Sequence, residues 1–133
     1  RLPQACSLII SKMCDTRQIL PNEAFPDLDL HGAGLHWIPE GGYLRPHVDS
    51  EVHPITGWFR RASSVLFLSK CEGGELVIEG CDPIVPSPGK LVTFSSRLKH
   101  EVLPVAKGDR YTLSLFWWSL EGSGATTKAT FDL

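Results

Sequence analysis

The stretch Gly41-Gly42-Tyr43-Leu44-Arg45-Pro46-His47-Val48-Asp49-Ser50 decides how the rest of the chain is read. In an extended strand alternate side chains share a face, so His47 and Asp49 project together from backbone positions roughly 6 to 7 Å apart. An imidazole and a carboxylate presented in this way are two of the three ligands of a 2-His-1-carboxylate facial triad, the arrangement that holds non-haem Fe(II) with coordination positions left open. A third ligand can come from any downstream histidine that folding returns to the pair. His100, in Ser95-Ser96-Arg97-Leu98-Lys99-His100-Glu101-Val102, is the candidate. A His-x-Asp by itself proves little, since it more often marks a surface strand with two polar side chains. Of the other histidines, His31, His36 and His53 are given no metal role, and His53, four residues beyond Asp49, is the nearest competitor.

Outward from this stretch the chain reads as β structure. Leu35-His36-Trp37-Ile38, Tyr43-Leu44, Ser63 to Leu68, Glu75-Leu76-Val77-Ile78, Lys90 to Phe94, His100 to Leu103 and Arg110 to Trp118 are short, rich in β-branched and aromatic residues, and separated by Gly, Pro, Asp or Ser. Seven or eight such strands without helices between them predict a mainly β fold, a sandwich or jelly roll that closes its edges by rolling two sheets together. Upstream, Cys6, Leu8, Ile9, Ile10, Met13, Cys14 and Ile19 recur at helical spacing over about Gln4 to Leu20, which predicts a helix packed outside the sheet and ended by Pro21. Pro21 to Gly34 reads as connecting loop, and Gly122 to Thr127 as a flexible tail.

Composition narrows the classes. A length of 133 residues suits one domain, divided here into an N-terminal helix and loop (1–34), a β-barrel core (35–120) and a C-terminal tail (121–133). The formal charge of -2 gives no global basic field, so binding dominated by nucleic-acid phosphates is not expected. No apolar run reaches the length of a membrane span, and Arg1-Leu2-Pro3-Gln4 lacks the layout of a signal peptide. The expectation is a cytoplasmic chain, with no membrane partner, whose own start was processed or lies upstream. Cys6, Cys14, Cys71 and Cys81 show no zinc-type spacing and are expected to be thiols, although Cys71 and Cys81 flank one strand and could pair in an oxidising compartment.

Ten residues beyond His100 stands Arg110, in Gly108-Asp109-Arg110-Tyr111-Thr112-Leu113-Ser114. A period of two places Arg110, Thr112 and Ser114 on one face and Tyr111, Leu113 and Leu115 on the other. An arginine on the inward face of an apolar strand is costly unless an anion pairs with it. The alternative is an exposed strand start, with Arg110 paired to Asp109 or Glu101.

The succession His47-x-Asp49, Gly73-Gly74-Glu75-Leu76, Pro86-x-Pro88-Gly89-x-Leu91-x-x-Phe94, His100-Glu101-Val102 and Gly108-Asp109-Arg110-Tyr111 resembles the Fe(II)/2-oxoglutarate dioxygenases of the prolyl 4-hydroxylase type, over about Leu35 to Trp118. The resemblance implies a double-stranded β-helix, a cupin-like jelly roll, with one or two N-terminal helices packed outside. Iron would be held by His47, Asp49 and His100. It implies that Arg110 grips the far carboxylate of 2-oxoglutarate, with Thr112 as a hydrogen-bonding helper, because a guanidinium fork matches a carboxylate. It also implies O2 as oxidant, ascorbate as an optional reductant, and hydroxylation of a C–H bond with release of succinate and CO2. The chain departs from the family pattern in carrying Trp37 and Phe67 where relatives offer tyrosines to the co-substrate, which makes Tyr43 and Ser63 candidate replacements. The short interval from His47 to His100 predicts trimmed loops and an open site.

In such an architecture selectivity comes from the barrel mouth. The loop Glu51 to Arg61, directly after Asp49, is the expected lid, with Trp58 and Arg61 as substrate contacts and Arg45 beside them. Its mixture of aromatic and cationic residues suits a peptidyl proline or another amino-acid side chain as substrate, and after that a free amino acid or small acid. The rival readings are a nucleic-acid oxygenase of the same superfamily, for which Trp58-Phe59-Arg60-Arg61 is a small piece of the expected surface, a cupin-type metalloenzyme, and a noncatalytic jelly-roll binding module.

Overall fold

The computed structural model describes residues 24–26, 33–49, 52–120 and 129–132. Within them every regular element is a β-strand. The helix expected over Gln4 to Leu20 lies outside the described residues, as do His31, Cys6 and Cys14.

The strands run β1 (Phe25–Pro26), β2 (Ala33–Ile38), β3 (Leu44–His47), β4 (Phe59–Phe67), β5 (Glu72–Gly73), β6 (Leu76–Ile78), β7 (Lys90–Ser95), β8 (His100–Val102), β9 (Val105–Lys107), β10 (Arg110–Ser119) and β11 (Ala129–Asp132). A six-stranded sheet has the order β1-β10-β4-β7-β11, with β2 also pairing β10; a second sheet has the order β3-β8-β6, and β5 pairs β9. Every pairing is antiparallel, and the non-sequential neighbours are the crossovers of a jelly roll. Two expectations are corrected. The segment read wholly as a tail forms a strand at Ala129–Asp132 on β7. The lid is also shorter than its sequence suggested, because β4 starts at Phe59 and takes Arg60 and Arg61 into the sheet. The aromatic edge of β10 makes this acceptable: the Arg60 guanidinium lies 3.8 Å from the Phe116 ring centroid and 5.0 Å from that of Trp118.

The core lies between the two sheets. Phe67, Val92 and Phe94 from the large sheet meet Leu76, Ile78 and Val102 from the small one, with Ile84 closing one end. Removing such side chains from water stabilises by about 1.5 to 3 kcal/mol each, which fixes the face each strand presents and hence the direction of every polar side chain between them. The opposite face of the large sheet is buried as well, at Leu66, Leu91, Leu113, Leu115 and Trp117. There Trp117 Nε1 donates to Ser64 Oγ at 2.9 Å, and Ser64 and Thr93 hydroxyls share a bond of 2.8 Å, so these three buried side chains satisfy one another.

The small β5–β9 ribbon turns on Gly73, whose φ is +72°. A Cβ there would overlap the Pro104 carbonyl and lie 2.8 Å from Ala106 N. Gly57 has a similar φ of +76°, but open space around it. Gly73→Ala is therefore expected to destabilise the protein by clearly more than the about 1 to 2 kcal/mol of left-handed backbone strain that Gly57→Ala incurs. Chemical denaturation of the two variants side by side checks this, and equal losses would contradict it.

Candidate active site

The small sheet and the first residues past it build the candidate metal centre. β3 pairs β8 with Leu44 opposite Val102 and His47 opposite His100, so β3 carries one extra residue. This bulge, at Arg45-Pro46, uses a proline where a ladder hydrogen bond is already lost. The strand ends at His47, and Asp49 is fixed just beyond it by its backbone N–H on Ser96 O at 3.0 Å. The expected continuous strand through Asp49 is thus cut short, yet the side chains still converge. His47 Nε2 lies 3.6 Å from Asp49 Oδ1, and His100 Nε2 lies 3.3 Å from Asp49 Oδ2. The three potential ligand atoms fall within 4.8 Å of one another.

Each imidazole is oriented through its other nitrogen. His47 Nδ1 is 2.7 Å from Arg45 O, and His100 Nδ1 is 3.0 Å from Leu98 O. A carbonyl only accepts, so each Nδ1 carries a proton and Nε2 is the nitrogen left to bind a metal, which would displace the proton that His100 Nε2 shares with Asp49. Phe94 meets the His100 ring edge to face at 4.8 Å, and His100 is buried, whereas the His47 side chain is 41% exposed at the mouth. Burial alone would raise the Asp49 pKa, but hydrogen bonds with His100 and Ser63 and the positive charges of His100 and Arg60 outweigh it and hold the carboxyl below its ordinary value. Burial likewise disfavours a charged His100, yet the bond to Asp49, the Leu98 carbonyl and the Asp49 charge together raise its pKa. Such a site concentrates acceptors around a position suited to a cation.

A cavity of roughly 270 Å³ joins this cluster to Arg110. Thr112, Ser114 and Phe116 line it together with Arg110, as a period of two requires. Arg110 is buried, and its Nε donates to Gly74 O at 2.9 Å while its Nη2 is buried without a hydrogen-bond partner. The alternative of an exposed strand start paired to Asp109 or Glu101 does not hold: among the described residues no carboxylate pairs with Arg110, and Asp109 instead accepts from Trp37 Nε1 at 2.9 Å. Burial pulls the Arg110 pKa down, with the nearby Cys71 acting weakly the other way. A buried guanidinium with an uncommitted N–H, facing a cavity, fits an anionic ligand such as a carboxylate.

The remaining sequence candidates separate. Thr112 lines the cavity. Ser63 does too, but its Oγ donates to Asp49 Oδ2 at 2.7 Å, so it orients the metal-side carboxylate rather than replacing a co-substrate contact. Tyr43 is 53% exposed and, like the exposed Arg45, does not line the cavity. Trp58 packs on Phe25 at 4.8 Å and on His53 at 5.6 Å, and Arg61 is buried at the β4–β10 bulge, so the expected lid residues sit away from the cavity. His53 explains why: its Nδ1 lies 3.2 Å from the N–H groups of both Ile55 and Thr56, and its ring packs on Trp118, folding the loop onto the barrel. His36, assigned nothing from sequence, lines the cavity. Trp37 borders the cavity too, but its ring stacks on Tyr111 at 6.4 Å and its Nε1 is engaged by Asp109. Cys71 and Cys81 are free thiols.

Ser63→Ala removes the only hydroxyl seen on Asp49 among the described residues and is expected to weaken divalent-metal binding by about 10- to 100-fold while the fold survives. Metal titration followed by calorimetry on the two proteins checks this, and an unchanged affinity would show that Asp49 is oriented by its backbone alone.

Comparison with known proteins agrees with this geometry. The sequence pattern of the 2OG-Fe(II) oxygenase superfamily matches residues 33–118. A PKHD-type hydroxylase of Pseudomonas putida is 34% identical over 108 residues, covering 74% of this chain and 45% of the relative. Another, from Pseudoalteromonas atlantica, is 34% identical over 126 residues, covering 86% of this chain and 52% of its own. The chain thus spans about half the length of the curated relatives it matches. Among solved structures, a viral collagen prolyl hydroxylase from Paramecium Bursaria Chlorella virus-1 superposes with a TM-score of 0.72 at 18% identity, covering 91% of this chain and 78% of that one. A Pseudomonas putida prolyl-4-hydroxylase superposes with a TM-score of 0.56 at 22% identity, covering 92% and 83%. These two structures share its jelly-roll fold. With an extended sequence match laid over a His-Asp-His cluster and a buried arginine in one cavity, the chain belongs to the 2OG-Fe(II) oxygenase superfamily.

Proposed function

We propose that this chain is the catalytic domain of an Fe(II)- and 2-oxoglutarate-dependent hydroxylase acting on a C–H bond of a peptidyl proline or another amino-acid side chain. The observation that carries the proposal is the convergence of His47, Asp49 and His100 in one cavity with a buried Arg110 that has an uncommitted N–H. His47 and His100 would hold the iron through Nε2, and Asp49 through a carboxylate oxygen. When bound, iron with 2-oxoglutarate and O2 supplies the oxidising chemistry, releasing succinate and CO2.

The protein's own contribution is positioning. Ser63 holds Asp49, the Arg45 and Leu98 carbonyls hold the two imidazoles, and Phe94 backs His100. Because His47, Asp49 and His100 are only three ligands, a metal held by them would keep positions free for the co-substrate. Arg110 would take the far carboxylate of the keto acid, with Thr112 beside it on the same strand face. The cavity of roughly 270 Å³ is small for a drug-sized molecule, whose pockets typically run about 300 to 1,000 Å³. Once the keto acid is seated, the target is expected to enter as a single side chain past the exposed His47 and Leu44. This favours a peptide or protein substrate over a free small molecule. The names of the relatives, prolyl hydroxylases among them, point the same way. The nucleic-acid reading loses its sequence support because Trp58 and Arg60 are engaged on Phe25 and Phe116 rather than forming a stacking surface.

Anaerobic titration with Fe(II) and 2-oxoglutarate is expected to produce a metal-to-ligand absorption band, and its absence would favour a noncatalytic binding module. His47→Ala and Asp49→Ala should abolish the band and coupled turnover. Arg110→Ala removes a charge-assisted partner of a buried carboxylate, worth on the order of 2 to 5 kcal/mol, and should raise the 2-oxoglutarate requirement at least tenfold with metal binding largely retained. An unchanged requirement would place the carboxylate anchor elsewhere.

A further inference from the structure

We propose that His36 donates a hydrogen bond to the distal carboxylate of 2-oxoglutarate, as a third polar contact beside Arg110 and Thr112. The inference rests on the co-substrate reading above and deepens it.

The placement follows from strand register. β2 pairs β10 with Gly34 opposite Ser114, His36 opposite Thr112, and Ile38 opposite Arg110. Directly opposed residues share a face of the sheet, so His36 turns inward with the side chains that line the cavity, and it lines the cavity itself. Its neighbour Trp37 also borders the cavity, but it lies opposite Tyr111 on the other face, where its ring stacks on Tyr111 and its Nε1 is tied to Asp109. The order along β10 also gives direction. Phe116 is opposite Ser63, the residue that holds Asp49, so that end of the strand is the metal end. Ser114, Thr112 and Arg110 then follow in steps of roughly 7 Å. A five-carbon diacid reaching from the metal toward Arg110 therefore approaches the level of Thr112 and His36 before it meets the guanidinium.

Local chemistry supports the same assignment. The ring lies back over Gly34, where a Cβ would come within 3.0 Å of His36 Nε2, so the glycine leaves room for the imidazole at the cavity wall. No hydrogen bond engages either ring nitrogen among the described residues. Partial burial, and then the positive charge of Arg110, lower the His36 pKa, which keeps the free imidazole neutral with one N–H to give. A neutral donor at this place adds a directional bond to the carboxylate whose charge Arg110 balances.

The test uses the full chain loaded with Co(II) or Mn(II) in the absence of oxygen, and measures binding rather than turnover. Two ligands are compared by calorimetry: 2-oxoglutarate, and 2-oxopentanoate, which has the same five-carbon keto acid without the distal carboxylate. His36→Ala should weaken 2-oxoglutarate about tenfold, the effect of losing one hydrogen bond to a charged group, and leave 2-oxopentanoate unchanged. His36→Gln, which keeps an N–H donor, should recover most of the loss. His36→Leu, closer in volume, should repeat the alanine result and stands in for it if the alanine variant does not fold. Unchanged 2-oxoglutarate binding, or equal loss of both ligands, would overturn the assignment of His36. Failure of the wild-type protein to bind 2-oxoglutarate at all would instead overturn the co-substrate reading on which it rests.

Discussion

Two hydrogen bonds from imidazole Nδ1 atoms to backbone carbonyls set the chemistry of this site. Each is made to the residue two positions earlier, Arg45 for His47 and Leu98 for His100. Because the acceptor has no proton to offer, each ring is confined to one tautomer and one orientation, and both Nε2 atoms are presented toward Asp49. The bonds are available only because the backbone departs from regular pairing at both places. β3 bulges at Arg45-Pro46, and the turn before β8 brings the Leu98 carbonyl under its histidine. The metal-side geometry is therefore a property of backbone irregularity, and the regular sheet around it supplies the rigidity.

The other end of the cavity has a different logic. Arg110 is buried on the inward face of a long strand with Phe67 beneath it, its guanidinium carbon 5.2 Å from the ring centroid. One N–H is satisfied by the Gly74 carbonyl, and that approach depends on the glycine: a Cβ at Gly74 would lie 3.1 Å from Arg110 Cδ and 3.1 Å from Cys71 Sγ. The rest of the charge is left facing the cavity. A folded protein tolerates this where a ligand completes the pair, and the binding energy of that ligand is then partly the relief of a buried, under-satisfied cation. The two ends cooperate because β10 and β4 run between them in fixed register, with Thr112 opposite Phe67 and Phe116 opposite Ser63.

The segment after Asp49 shows how a plausible lid becomes a structural brace. A buried histidine accepting from two backbone N–H groups closes a tight loop, Val52 bridges to Phe59, and Trp58 folds onto Phe25. The arginines that look like substrate contacts in the sequence enter β4, where Arg60 covers Phe116 and Trp118. With that loop pinned, the cavity mouth is bordered by β2 and β3, which carry His36, Leu44 and His47.

The sequence by itself determined the longer central strands and most of their inward faces, and pointed to the residues that could take metal and carboxylate, because period-two patterning and the cost of burying an unpaired charge are local constraints. His47-x-Asp49, Arg110 and Thr112 are legible for that reason. The sequence did not show the short β1, β5, β9 and β11. What only the tertiary structure decided is where polar side chains of ambiguous direction end up. Ser63 could have faced a co-substrate, but the crossing of β4 behind Asp49 brings its hydroxyl to the carboxylate instead. His36 and Trp37 are adjacent in an exposed-looking strand and both border the cavity, and only the pairing of β2 with β10 shows that the histidine shares the face of Thr112 while the tryptophan shares that of Tyr111. Cross-strand register is a non-local property: a shift of one residue exchanges the two faces of a strand, and no pattern within the six residues of β2 states which neighbour it will meet.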